Sequence, residues 1–296
     1  MLAPFRDILD QRRRAGGAAG AFTCYDVTTA VGVVRAAEGR GLPAILLVAE
    51  ASFRAPTGRL LVPALRAVAD EASVPICVQL DHVSDDALID AALAAGVGAV
   101  MADGSRLPLD ENTAFVAAVR DRAGSAGIEV ELGHIEGGED IAAATEAGAL
   151  TDPDDAVSLV VATRCDCLAV SIGNVHGRYA SPPRLDWARL TRIRERIDVP
   201  LSLHGASGLP DSDVRRAVEL GVCKVNVNAE IRQGYLTRLA DRLPAALDGL
   251  RLLELEAAVV DAVGEVVTAK LELLEGIPSP STTAVAGRHS FPDRAD

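Results

Sequence analysis

Aromatic side chains are scarce, with one Trp, three Tyr and five Phe among 296 residues. That is too few to build the stacking platforms on which unpaired nucleobases sit. Positive charge is also in short supply: 29 Lys and Arg stand against 42 Asp and Glu, for a net charge of −13 and a pI near 4.9. This balance opposes non-specific binding to nucleic acid or to an anionic membrane surface. No apolar run approaches the ~20 residues that span a bilayer. The opening MLAPFRDILDQRRR lacks the apolar region of a signal peptide. Cys24, Cys77, Cys165, Cys167 and Cys223 form no CxxC pair and mostly sit inside apolar runs. They read as reduced core thiols of a cytoplasmic protein. What is present is 49% hydrophobic and 24% charged residues, a globular composition that excludes disorder and collagen-like structure. The length suffices for a sizeable core.

Short apolar runs alternate with helical stretches. The strand-like runs are GAFTCY (20–25), PAILLVA (43–49), PICVQLDH (75–82), AVMADG (99–104), EVELG (129–133), CLAVSIG (167–173), PLSLHG (200–205) and KVNVN (224–228). They are continuous, not alternating, as in a parallel sheet buried on both faces. Segments such as 85–96 and 211–221 carry apolar residues at helical spacing and end at Gly. Eight regularly spaced β/α units predict an α/β fold, a closed (β/α)8 TIM barrel. A doubly wound open sheet is the structural rival, but no G-x-G-x-x-G follows the first strand. Residues 246–275 read as one or two extra C-terminal helices, so 1–275 are expected to form a single domain. Residues 276–296, rich in Pro, Ser and Thr, read as a mobile tail.

A barrel of this kind carries its active site at the C-terminal ends of its strands. The polar residues expected there are few. Strand 3 ends in Asp81 and His82, strand 4 in Asp103 and strand 5 in Glu131; His176 follows strand 6, His204 ends strand 7, and strand 8 carries Asn226 and Asn228. Three of the five histidines thus converge on one rim, which predicts a metal site. Neutral imidazoles suit Zn²⁺, and three protein ligands leave a position open for a substrate oxygen. His134, at the start of a loop, is expected to be exposed, with the mouth of the site as the alternative, and His289 to be solvated in the tail.

These residues belong to longer segments: VQLDH (78–82), VMADGSRLPLDEN (100–112), VELGHIEGGED (130–140), LAVSIGNVHGRYASPPRLDWARL (168–190) and PLSLHGASGLPDSDVRRAVELGVCKVNVNAE (200–230). From about Ala21 to Tyr235 the chain resembles the class II, metal-dependent ketose-bisphosphate aldolases, most closely their tagatose-bisphosphate branch. The resemblance implies Zn²⁺, one per chain, on His82, His176 and His204. Asp103 and Glu131 match carboxylates that can hold the metal in an alternative outer position, and a monovalent cation is implied near the phosphate site. Asp81 is implied as the acid/base at the C4 oxygen of a ketose. Glu139, in the Gly-rich loop after strand 5, matches the glutamate that moves the C3 proton of dihydroxyacetone phosphate, and GGED (137–140) reads as part of a lid.

Cleaving a C3–C4 bond leaves a carbanion that must spread onto the C2 carbonyl, a task a Lewis-acid metal performs without a Schiff-base lysine. Lys224, at the start of strand 8, reads as lying at the wrong end for the latter. Gly177 and GASG (Gly205, Ala206, Ser207, Gly208) resemble the phosphate-binding loops of the family, with Asn226 and Asn228 beside the substrate. Three positions depart from its pattern: Ala229 where a Thr is usual, Thr23 where Asn is usual, and Ala49, followed by Glu50, where Ser or Thr is usual. Together they predict a changed substrate and weak use of fructose and tagatose bisphosphates. An aldolase for another keto-acid or sugar, a zinc-dependent hydrolase and a non-catalytic sugar-binding protein remain alternatives. A homodimer or homotetramer is expected, because the apolar helices near 246–275 follow a barrel that is already complete.

Overall fold

The short apolar runs satisfy their backbones by pairing with one another in a ring. The computed structural model describes residues 1–137 and 144–276. Its strands are β1 (Ala19–Thr23), β2 (Ala44–Ala49), β3 (Ile76–Val83), β4 (Ala99–Ala102), β5 (Gly127–Leu132), β6 (Ala144–Thr145), β7 (Cys167–Val170), β8 (Arg178–Tyr179), β9 (Leu201–Leu203) and β10 (Val222–Val227). Eight of them close a barrel in the order β1-β10-β9-β7-β5-β4-β3-β2, every pairing parallel. These eight are the runs the sequence marks. The short strands β6 and β8 pair separately and join the loops that follow β5 and β7. The helices are α1 (Phe5–Arg14), α2 (Val27–Arg40), α3 (Glu50–Arg54), α4 (Gly58–Glu71), α5 (Asp86–Ala95), α6 (Leu109–Arg122), α7 (Pro153–Thr163), α8 (Trp187–Arg196), α9 (Asp211–Glu219), α10 (Ala229–Gly249) and α11 (Leu252–Leu274). Asp26, Asp85, Asp152 and Asp186 cap the N-termini of α2, α5, α7 and α8 through their side chains.

Side chains alternate across each strand, so one set faces the helices and the other fills the barrel. Phe22, Leu46, Val78, Val100, Ile128, Leu168, Leu203 and Val225 join the helices in one large apolar cluster. Inside, the N-terminal half of the barrel is apolar, with Ala19, Ala21, Ile45, Leu47, Cys77, Ala99 and Cys167 sealed by Phe5, Ile8 and Leu9 of α1. Further along, the filling becomes polar and buried: Gln79, Glu129, Ser202 and Lys224, then Asp81, Glu131, His204 and Asn226. The plug formed by α1 was open to a sequence reading, since Phe5, Ile8, Leu9 and Arg12 lie one helical turn apart and are all buried.

The expectation that the helices near 246–275 need a partner to cover their apolar face is corrected. Leu255, Val259, Val263, Val267 and Leu271 of α11 are buried, and the helix packs on α2, α10 and β1 of its own chain. Close approach depends on Gly32 of α2, where an added Cβ would fall 2.8 Å from the Cβ of Val263. Uncovered apolar surface lies instead on α10, its C-cap and the first turn of α11, where Leu236, Leu247, Leu250, Leu252 and Leu253 are 60% to 85% exposed.

Candidate active site and metal centre

Consecutive residues of a regular strand point to opposite faces, yet Asp81 and His82 both line the cleft at the C-terminal end of β3. The pairing of β3 with β4 shifts register between Leu80 and Val83, and His82 has φ 48°. This bulge with a left-handed residue is the kind of local strain found at functional sites. His82 Nδ1 lies 2.8 Å from Asp103 Oδ2, just beyond β4. His204 Nε2, at the end of β9, lies 2.9 Å from Glu129 Oε1 of β5. Ionised carboxylates only accept, so those two nitrogens carry the protons and the other nitrogen of each ring presents a lone pair. The two lone-pair nitrogens, His82 Nε2 and His204 Nδ1, face each other at 2.8 Å.

His176 completes the group from the loop after β7, with ring centroids 4.8 Å from His82 and 5.8 Å from His204. Its backbone N–H donates to Glu136 O at 2.7 Å. Donor atoms of His82, Glu131, His176 and His204 all lie within 4.8 Å of one another. Glu131 Oε2 is buried and makes no hydrogen bond among the described residues. Facing lone pairs and a stranded carboxylate oxygen fit a divalent cation held by nitrogen and oxygen donors. Without such a cation, a proton on His82 or Glu131 would relieve the same repulsion. Burial opposes it, but the charges of Asp81 and Asp103 hold His82 well above the usual imidazole range. Burial, with the charge of Asp103, pushes Glu131 up to about 8. Burial pulls His204 down.

Asp81 Oδ2 accepts from Asn226 Nδ2 at 3.0 Å. The reading of Lys224 as remote is corrected: its Cα sits low in β10, but its buried ammonium reaches Glu129 Oε2 at 2.8 Å and Asn226 Oδ1 at 2.5 Å. A small pocket beyond His176 is lined by Gly177, Gly205, Ser207, Asn226, Asn228, Ala229 and Arg232. Gly205 has φ 62°, and a Cβ there would fall 2.0 Å from Val175 O, so this turn requires glycine. Tyr179 ties the two loops by donating to Gly205 O at 3.0 Å. Ser207 donates its hydroxyl to Glu230, which also meets Lys270 at 2.9 Å. Ala206 does not line this pocket, because its side chain joins the apolar core.

On the other side of His176 opens a cleft of about 340 Å³ lined by Ala49, Glu50, Arg54, Asp81, His82, Asp103, Arg106 and His134 among others. Glu50 is bound to Arg54 at 2.7 Å, and Arg54 also meets Asp85 at 2.9 Å. Arg106 makes no ion pair among the described residues. It sits in a turn in which Leu107 N–H donates to Gly104 O at 2.8 Å. Ser105 in the same turn has its N–H 3.0 Å from Asp103 Oδ1 and its hydroxyl 2.9 Å from His134 Nδ1. His134, expected to be exposed, is therefore half-buried at the mouth, and burial with the nearby Arg106 charge lowers its pKa.

Comparison with known proteins matches this arrangement to a family. Residues 3–277 match the class II fructose-bisphosphate aldolase family. The chain belongs to that family. It is 42% identical, over 78% of its own length and 82% of the relative's, to the D-tagatose-1,6-bisphosphate aldolase subunit GatY of Klebsiella oxytoca. The crystal structure of the YdjI aldolase from Escherichia coli K12 superposes with a TM-score of 0.83 at 29% identity, covering 93% of this chain and 98% of that one. The fructose-bisphosphate aldolase of Campylobacter jejuni shares the fold, with a TM-score of 0.77 at 18% identity over 94% and 96% of the two chains.

The protein is thus a metal-dependent class II aldolase, a carbon–carbon lyase of carbohydrate metabolism. Of the candidate residues read from sequence, the barrel brings together His82, His176, His204, Glu131, Asp103, Asp81 and Asn226, with Gly177, Gly205, Ser207 and Asn228 around the adjoining pocket. Glu139 lies outside the described residues, as does His289. The sequence reading missed Asn174, whose amide donates to His204 O at 3.0 Å and so ties the loop bearing His176 to β9. It also missed Glu129, Arg106 and Arg232. The pattern Glu-x-Glu at 129–131 was the available signal for Glu129, since both residues of such a pair in a barrel strand face the interior.

Proposed function

We propose that the aldolase cleaves, and in reverse forms, the C3–C4 bond of a ketose phosphate or bisphosphate. A dihydroxyacetone-phosphate-like donor half would occupy the pocket of Gly177, Gly205 and Arg232, and the aldehyde half the cleft of Asp81 and Arg106. The observation that carries this reading is that His176 lines both spaces, so the metal site lies where the two halves would meet.

His82, His176 and His204 would hold one Zn²⁺ per chain, with Asp103 and Glu131 offering an outer position and a monovalent cation near the phosphate. When bound, the ion supplies Lewis acidity at the oxygens of the ketose. Asp81 takes the C4 hydroxyl proton in cleavage and returns it in condensation. Glu139 is assigned the donor C3 proton on the family resemblance. The N–H groups of the turns at Gly177 and Gly205 and the N-terminus of α10 suit an anion. Ala229 lacks the hydroxyl usual at its position, but Arg232, one helical turn on, lines the same pocket with a guanidinium. A charged donor there can offset the lost hydroxyl, so Ala229 alone does not imply weak phosphate binding. The altered specificity is better sought in the cleft of Ala49, Glu50 and Arg106.

Residues 1–275 are taken as one unit, because α11 closes back onto β1 and α2. The exposed leucines of α10 and its turn offer the face for a homodimer or homotetramer. All five cysteines are buried and free, in keeping with a reducing cytoplasm. A retro-aldol screen of ketose phosphates tests the reading. Release of dihydroxyacetone phosphate, lost on chelation and restored by Zn²⁺, is expected. Turnover of none of the ketose phosphates by the metal-loaded protein would contradict it.

A further inference from the structure

Lys224 is fully buried inside the barrel, with its ammonium between Glu129 and Asn226. Burial opposes its charge, but the carboxylates of Glu129 and Asp81 raise its pKa and keep it an ammonium. An ammonium donates and cannot accept. The Asn226 atom that faces it must therefore be the carbonyl oxygen, which turns the NH₂ group the other way. There it donates to Asp81 Oδ2 at 3.0 Å and lies 3.2 Å from His204 Nδ1. Asp81 Oδ1, equally buried, makes no hydrogen bond among the described residues.

We infer that Lys224 is a positioning residue: by fixing the orientation of the Asn226 amide, it reserves Asp81 Oδ1 as the oxygen that exchanges the substrate's hydroxyl proton. The inference rests on the proposed aldol chemistry at Asp81. In cleavage the C4 O–H bond breaks as Oδ1 takes the proton, the oxygen's electrons form the aldehyde C=O, and the C3–C4 pair passes to the donor half. A rotated amide would set its own oxygen against Asp81 Oδ2. Two acceptors at that distance need a proton between them, and that proton would be held inside the barrel, away from the cleft. Lys224 also neutralises Glu129, which holds His204 Nε2–H; this second branch is separable by mutation.

Lys224→Met alone would leave Glu129 buried and unpaired, at the risk of unfolding. The charge-neutral double variant Lys224→Met/Glu129→Gln, which removes the donor at 224, is therefore compared with Lys224→Gln/Glu129→Gln, which keeps an N–H donor there. Both lack the Glu129 carboxylate, and both are expected to fold, to retain metal by elemental analysis and to exchange the donor C3 proton with solvent at equal rates. The Met variant should show kcat for cleavage roughly 10- to 100-fold below the Gln variant at unchanged KM. Equal kcat in the two variants, or parallel loss of cleavage and proton exchange in the Met variant, overturns the inference. A second readout needs no substrate: the side-chain amide protons of Asn226 should exchange slowly by NMR in wild type and the Gln variant, and faster in the Met variant. Equal protection in all three also overturns it. Absence of cleavage by the wild type with that protection pattern intact would remove the aldol assignment of Asp81 instead.

Discussion

Removing the proton acceptor while keeping the metal separates the two parts of the site. Asp81→Asn should retain metal and lose most cleavage, because an amide cannot exchange the hydroxyl proton; elemental analysis together with a coupled assay for dihydroxyacetone phosphate reads both. Arg106→Gln should raise KM for an aldehyde carrying a phosphate by roughly 10- to 100-fold, the worth of a hydrogen bond to a charged group. The same change should leave KM for a neutral aldehyde unaltered, and condensation kinetics with the two aldehydes checks this. The site also has a pH signature. Glu131 is raised from 4.5 to about 8 by burial and by the charge of Asp103, and His82 is raised, against burial, by Asp81 and Asp103. The folded metal-free protein therefore keeps protons that the unfolded chain releases. The stability Glu131 contributes is fully present below 4.5 and lost as pH rises through about 8. Metal binding expels those protons, so its apparent affinity should rise with pH over the same window. Thermal unfolding with and without Zn²⁺ across that range should show the metal-free protein losing stability as pH rises and the increment due to Zn²⁺ growing.

At the level of elements, the burial of α11 is the feature most open to direct test. Leu271 is almost fully buried and reaches towards Gly20 of β1, where an added Cβ would lie 3.2 Å from its Cδ2. Leu271→Ala should cost roughly 2–5 kcal/mol, as core truncations do, measurable as a lower urea midpoint with an unchanged slope. All eight barrel strands were legible because each is a continuous apolar run, and the rim histidines because they follow those runs. Three things were not legible. The bulge at Asp81–His82 leaves no mark in residue types, since only the pairing with β4 reveals it. Lys224 was misjudged because its strand position fixes its Cα, while its four-carbon side chain carries the ammonium to Asn226. The covering of α11 depends on Gly32, a contact between residues far apart in the chain.

The whole molecule is a barrel whose N-terminal half is dry and whose C-terminal half becomes steadily more polar up to three histidines. The residues that could hold a metal all come from one chain, so assembly through the exposed leucines of α10 and the start of α11 would serve stability more than the chemistry of the site. Light scattering at micromolar concentration is expected to show a dimer or tetramer, and Leu247→Glu/Leu253→Glu to shift it towards monomer. Carbon–carbon bond cleavage is expected to require a metal at His82, His176 and His204. The release of dihydroxyacetone phosphate from ketose phosphates is to be compared for the purified protein, its chelated form, the chelated form restored with Zn²⁺, and His204→Ala. Release is expected only from the first and third; release undiminished by chelation, or by loss of His204, would show that the metal at these histidines is not needed.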